Sequence, residues 1–473
     1  MAHTPWGWKE RCARAGIIAA LSLAAAAPGA EPADQPATKE AEAVRSVQTA
    51  AGTAYRIAAA GSEETGLHWG QAVSPDGKHV AYLTLRNVHP DKYLRMRNAL
   101  TICATDGRSR WVAMPAIRNR CAKMHLQPRL VWTADGRTLY CINNADPWGQ
   151  GPVRIHKIDV AARKVHDMGL FLKDLTYFLM RAAVGPDGRS IVCASSDHRL
   201  HQTDPGHNFY PIVIVTPDGN ELRTEQKYKD VLSSPLGKLT VGVQLVAHEL
   251  HTISPDGKAK LLHTFDKGHF VVRLHLAGET DYVLLVTGPQ RDRRAWKPTM
   301  GFRNEPVFKA VLIDPNGQAA LVSDDALQDA IVPLPQADTV LVCEADEPYL
   351  YHPFAKKTDK LEITGPHWAV PSPSAASPYA VLKPLAKSRG RVQVRPDETV
   401  LLNWKTGKAI TLDAEPFDGL RLPVSWSADG KWLAFSRAAG AGQPVEVPKM
   451  IDPPHEFIAG EIWTLKLNKE GNR

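Results

Sequence analysis

A four-residue phrase recurs along this chain and limits what it can fold into. Ser74-Pro75-Asp76-Gly77 precedes KHVAYLTL, and Thr133-Ala134-Asp135-Gly136 precedes RTLYCI. Gly185-Pro186-Asp187-Gly188 precedes RSIVCAS, and Ser427-Ala428-Asp429-Gly430 precedes KWLAFS. An apolar stretch stands before each phrase: QAV, LVW, AAV and PVSW. Ser or Thr opens a type I turn, Pro suits its second position, Asp the third, and Gly the fourth, where φ is positive. Strand-like runs flank the turn, so each unit reads as a β-hairpin.

Weaker copies fill the gaps. Residues 230–245 keep Ser234-Pro235-Leu236-Gly237, while 271–286, 330–345 and 368–383 keep the paired apolar runs. That makes eight units. A second hairpin follows most of them, as in LTICATDGRSRWVAM and IVIVTPDGNELRT. Four antiparallel strands per unit make a propeller blade. The expected fold is therefore an all-β, eight-bladed β-propeller. Seven blades is the alternative, if one weak unit among 271–383 is miscounted. The last unit, PVSWSADGKWLAFS then EIWTLKLN, lacks a fourth strand. Residues 53–59 (TAYRIAA) could supply it, which would close the ring and remove exposed sheet edges.

Length alone would suggest about three domains for 473 residues. Repeats change that, because a propeller is one domain however many blades it has. The expected organisation is a signal peptide at 1–30, a flexible tether at 31–52, the propeller at 53–468 and a C-terminal tail at 469–473. Lys9, Arg11 and Arg14 precede an apolar run from Ala15 to Ala27, with small residues after it, which reads as an export signal. The run is shorter than the ~20 residues that span a bilayer. Export places the chain in the periplasm or outside the cell. Loss of residues 1–30 removes three basic side chains and one acidic, taking the net charge from +7 to about +5. That permits an anionic ligand and does not point to nucleic acid. Five of the six cysteines follow the signal, an odd number without a C-x-x-C spacing, so the expectation is core thiols rather than a disulfide framework or a classical zinc site. Cys141 and Cys193 share a register with Tyr82 and Phe435, eight residues past the start of each turn, as buried packing positions do. Trp69, Trp132, Trp368, Trp404, Trp426, Trp432 and Trp463 lie in or beside strands and read as inter-blade core.

These turn-centred phrases resemble the TolB-type or PD40 (WD40-like) propeller repeats, which also occur in the N-terminal propellers of prolyl oligopeptidase and dipeptidyl-peptidase IV relatives. WSADGKWLAFS followed by EIWTL carries the resemblance best, and it extends over about residues 60–468. The resemblance implies fold rather than function. The peptidase relatives carry a hydrolase domain with a G-x-S-x-G elbow, a motif missing here. The expectation is a propeller without the peptidase domain.

In a four-stranded meander the long connections, from second to third strand and from blade to blade, share one face. Long loops on a rigid scaffold are where binding usually sits. Three groups of residues are candidates. Arg291, Arg293, Arg294, Trp296 and Lys297 suit an acidic ligand, because guanidinium forks grip carboxylates and Trp can stack on a sugar or aromatic ring; the alternative is a solvated loop paired with Asp292 and Glu305. His198, His201 and His207, with Asp197 and Asp204, have the ligand chemistry for a divalent metal; the alternative is hydrogen-bonded loop histidines. His68, His125 and His367 stand just before inner strands, where they either meet a ligand or pack between blades.

The first functional expectation is a non-enzymatic binding or scaffold protein, presenting its long-loop face to a protein partner or to an acidic glycan or peptide. The second is an enzyme: some propellers of similar repeat type act on uronate oligosaccharides, with a His-bound metal and an Arg that neutralises the carboxylate and so acidifies the adjacent C–H. The TolB resemblance implies a third, a structural component of a cell-envelope complex.

Overall fold

The computed structural model describes residues 44–59, 67–87, 96–118, 128–144, 152–173, 178–196, 210–244, 247–276, 278–289, 308–324, 330–336, 338–343, 347–388, 391–394, 398–412, 415–418, 420–438 and 460–468, all within the unit Ala43–Arg473. They form eight blades of four antiparallel strands in a ring. The innermost strands, in blade order, are Leu67–Val73, Arg129–Trp132, Phe178–Val184, Asp230–Ser233, His269–Leu276, Ile331–Pro333, His367–Pro371 and Leu420–Trp426. Eight blades are present, and the seven-blade alternative falls. Among the described residues no helix is long and apolar enough to cross a membrane.

Ring closure follows the expected route. The last blade runs Leu420–Trp426, Trp432–Ala438 and Gly460–Leu467, and its outer strand is Gly52–Ala58 from near the other end of the chain. The pairing continues one strand further. Ser46–Gln48 lies beside Gly52–Ala58, with Val47 packed on the blade 8 core, so sheet begins inside the segment read from sequence as a tether.

The first Asp-Gly turns of blades 1, 2 and 8 are built on a buried hydroxyl. The Ser74 Oγ–H donates to Asp76 Oδ1 at 2.6 Å, and the same oxygen accepts the His79 N–H at 2.9 Å. Gly77 N–H closes the turn on the Ser74 carbonyl at 2.9 Å, with Gly77 at φ 71°. Thr133 with Asp135 and Ser427 with Asp429 repeat the arrangement. Ser74 and Ser427 are fully buried, so a hydroxyl lacking either partner would be costly. Burial alone would raise the Asp135, Asp187 and Asp429 carboxyls, but hydroxyl, backbone N–H and basic donors outweigh it and hold all three below the usual range.

Two blades lack part of the phrase and restore the pair by other means. In blade 3 the first residue is Gly185, and Ser190 Oγ donates to Asp187 instead, at 2.6 Å. A Cβ at Gly185 would stand 2.0 Å from that Ser190 hydroxyl, so glycine there is the space it needs. In blade 4 Leu236 replaces the aspartate. Glu279, from the corresponding turn of blade 5, supplies the carboxylate: it accepts the Ser234 hydroxyl at 3.2 Å and the Leu236 N–H at 2.7 Å.

The turns also tie blade to blade. Ala428 N–H donates to Pro75 O at 3.0 Å, and Ala134 N–H to Gly188 O at 2.8 Å. The tryptophan just before a turn reaches back to the preceding blade: Trp132 Nε1–H to Ala72 O at 3.1 Å, and Trp426 Nε1–H to Val370 O at 3.3 Å. Between blades lie apolar clusters. Tyr82, Cys141, Cys193 and Phe435 are all fully buried, as their common register predicted. In blade 4 that register holds Gly242, and the Tyr228 ring fills the space, 2.7 Å from where a Cβ would be. Cys103, Cys141, Cys193 and Cys343 are free and buried, and burial pushes the first three thiols up to about 12. Trp132, Trp404 and Trp463 are buried, and Trp368, Trp426 and Trp432 are half-buried.

Three substitutions test the role of the hydroxyl–carboxylate pair. Ser74→Ala leaves the His79 N–H without its acceptor and removes the donor to Asp76, and is expected to lower unfolding stability by about 2 kcal/mol. In urea titrations the exposed analogue Ser254→Ala, which loses a similar bond to Asp256, should cost less than about 0.5 kcal/mol. Glu279→Ala removes a contact within its own chain but from a neighbouring blade, and should still cost about 1–2 kcal/mol.

Candidate functional site

The residues singled out in the long loops fall between the second and third strands of two blades. Arg291, Arg293, Arg294, Trp296 and Lys297 follow Val283–Pro289 and precede Lys309–Ile313, the second and third strands of blade 5. His198, His201 and His207 connect Ile191–Ser196 to Tyr210–Val215, the same position in blade 3. These eight residues, and His125, lie outside the described residues. His68 is within the inner strand of blade 1 rather than before it, opposite Thr84.

His367 opens the inner strand of blade 7 and is buried. Its backbone N–H donates to Cys343 O in blade 6 at 2.8 Å, and its Nδ1–H donates to Gly365 O at 2.8 Å. Burial holds its imidazole below the ordinary range, despite the Gly365 carbonyl and Glu398. Its backbone thus ties it to blade 6 and its Nδ1–H is already held within its own loop. Among the described residues no three His, Cys, Asp or Glu side chains gather as a metal site requires.

A different set of charged residues does share a structural position. Arg129 lies opposite Ile142, Arg181 opposite Ala194, Asp230 opposite Val243, and Arg273 opposite Val286. Each partner stands nine residues after the first residue of its blade's turn, and each charged residue four before it. Blades 2, 3, 4 and 5 therefore carry Arg, Arg, Asp and Arg at one register of the innermost strand, near the end that meets the long connections. Elsewhere the position holds Trp69 opposite Leu83, Trp368 opposite Lys383, and Arg421 opposite Ser436. In blade 6 it is Ala330, whose carbonyl accepts the Cys343 N–H.

The charges interact across blades. Arg181 Nε lies 3.1 Å from Asp230 Oδ1, with the arginine side chain 50% exposed and the aspartate 28%. Arg129 is half-buried, and burial together with the neighbouring Arg181 charge lowers its pKa; a guanidinium remains charged under such shifts. Lys229, next to Asp230, is tied down: its Nζ donates to Val271 O at 2.8 Å and lies 6.0 Å from the centroid of the Phe270 ring. Burial lowers its pKa, against the pull of Asp230. Arg129 and Arg181 thus present two guanidiniums from one register of adjacent blades, an arrangement that suits an anion between them. A cleft of about 460 Å³ lined by Tyr349, Thr358, Lys360 and Glu362 lies on the outer strands of blade 6 and shares no residue with this register.

The inner-strand register was absent from the sequence reading, although counting four residues back from each turn finds it. Strand bulges between Leu179 and Arg181 and between Val271 and Arg273 obscure the alternation that would have marked it.

No family model and no curated protein matches this chain. Several solved structures are similar to it in fold. An oligogalacturonate lyase in complex with manganese aligns over 90% of this chain and 96% of its own, at 9% identity and TM-score 0.47. TolB from Acinetobacter baumannii aligns over 68% and 79%, at 16% identity and TM-score 0.33. The β-propeller domain of the Trilobed protease from Pyrococcus furiosus aligns over 74% and 97%, at 13% identity and TM-score 0.40. These are likenesses of architecture, and the chemistry of the site rests on its own residues.

The buried histidines give a pH signature. Burial lowers His79, His156 and His367 alike. Each folded-state value is below the unfolded value of about 6.5, so the unfolded chain binds more protons between the two. The associated stability is present above pH ~6.5 and is lost as pH falls from there through the folded values. Thermal midpoints measured from pH 7 to 5 should decline, and His367→Gln should flatten that decline.

Proposed function

We propose that this chain is an exported β-propeller that binds an acidic ligand, a carboxylate-bearing glycan or peptide, at the long-connection end of its innermost strands. One observation carries the reading: Arg129, Arg181 and Arg273 share a single register on blades 2, 3 and 5. A ring of paired strands holds the backbone positions that carry these side chains at set spacings before any ligand arrives, which lowers the ordering cost of binding. Arg suits the task because its planar fork meets a carboxylate at two points and stays charged. The sequence between Val283–Pro289 and Lys309–Ile313 of blade 5 holds Arg291, Arg293, Arg294, Trp296 and Lys297, cations and a ring with the chemistry to meet the same kind of ligand. Export fits the basic, apolar and small-residue order of the first 30 residues.

Titration calorimetry with oligogalacturonate and poly-glutamate, against neutral analogues, tests the proposal. The acidic probes should bind, more weakly as salt rises. Arg129→Ala and Arg181→Ala should each weaken binding by about 10- to 100-fold, the scale of one charged hydrogen bond. Circular dichroism would establish that the variants are folded. Equal binding by wild type and both variants would remove the register from the site.

A further inference from the structure

Asp230 interrupts the arginine register, and its placement is informative. It stands on blade 4 between Arg181 of blade 3 and Arg273 of blade 5, at the same position of the innermost strand. Its Oδ1 accepts its neighbour's backbone, the Val231 N–H, at 2.9 Å, and lies 3.1 Å from Arg181 Nε. The carboxylate is thus anchored to the main chain. Arg181, half exposed, is the partner with freedom to turn away.

Resting on the acidic-ligand reading, we infer that Asp230 is an internal competitor for Arg181 that makes the site select ligands with several acid groups over those with one. The argument is one of effective concentration. A carboxylate fixed on the adjacent blade confronts Arg181 at millimolar or higher local concentration. A free monocarboxylate must outcompete it with a single contact, and meets the Asp230 charge as it approaches. A ligand already anchored on Arg129 brings its next acid group to Arg181 intramolecularly, so it competes on equal terms. Arg181 then exchanges one carboxylate for another, and Asp230 remains held by Val231. Because Arg129 and Arg181 hold the same register on the innermost strands of adjacent blades, the two anchoring points are neighbours for one ligand.

The test compares galacturonate monomer with oligogalacturonate on wild type and Asp230→Asn. In the wild type the oligomer should bind far more tightly than the monomer. Asp230→Asn should tighten monomer binding by about tenfold and oligomer binding only about two- to threefold, so the discrimination shrinks. The double variant Asp230→Asn with Arg181→Gln should lose the monomer gain, which ties the effect to Arg181 and not to net charge. Unchanged or increased discrimination in a folded Asp230→Asn protein overturns the inference while leaving the acidic-ligand reading intact, provided that Arg181→Ala still weakens oligomer binding. If neither probe binds wild type or variant, both readings fall together.

Discussion

The fold depends on a buried hydroxyl held by a carboxylate at the first turn of five blades, 1, 2, 3, 4 and 8. Ser74 with Asp76, Thr133 with Asp135 and Ser427 with Asp429 satisfy each other where water does not reach the hydroxyl. Blades 3 and 4 reveal what the constraint acts on. One moves the hydroxyl to Ser190; the other borrows a carboxylate from Glu279 of the next blade. The requirement is the pair, not the phrase that usually encodes it. Because the turns and their tryptophans also hydrogen-bond from blade to blade, the same local chemistry fixes the spacing of the ring.

That rigidity allows a functional surface to be written at one register. One end of each inner strand meets the first turn of its blade, while the other meets the blade-to-blade connections, which range from Lys229 alone before blade 4 to residues 119–128 before blade 2. At that end four successive blades carry Arg129, Arg181, Asp230 and Arg273, a position whose equivalents in blades 6 and 7 are Ala330 and Trp368. Architecture repeats eight times and chemistry does not. A ligand therefore meets a ring whose backbone repeats and whose charge differs from blade to blade.

The turn was legible in the sequence because its chemistry is local: hydroxyl, aspartate and glycine fall within four residues. Paired apolar runs were enough to count the weak blades, and the unpaired final unit pointed to closure by the segment that became Gly52–Ala58. Ser46–Gln48 escaped because three residues with one bulky apolar side chain do not differ from a polar tether. The Glu279 substitution escaped because its partner is 43 residues away in sequence and adjacent only in the ring. The inner-strand arginines escaped for a related reason. Their signal is one position repeated across blades of unequal length and displaced by bulges, while the basic runs of the long loops are contiguous and conspicuous. For His367 the sequence showed a histidine near a strand start, and its burial and its Gly365 carbonyl partner come from the fold.

The most direct measurement is a crystal structure of the protein with a bound oligomeric carboxylate. Density for the ligand between the inner strands of blades 2 and 3, with its acid groups on Arg129 and Arg181, is the predicted result. Ligand seated instead on the outer strands of blade 6, or among the Asp-Gly turns on the opposite face, would contradict it.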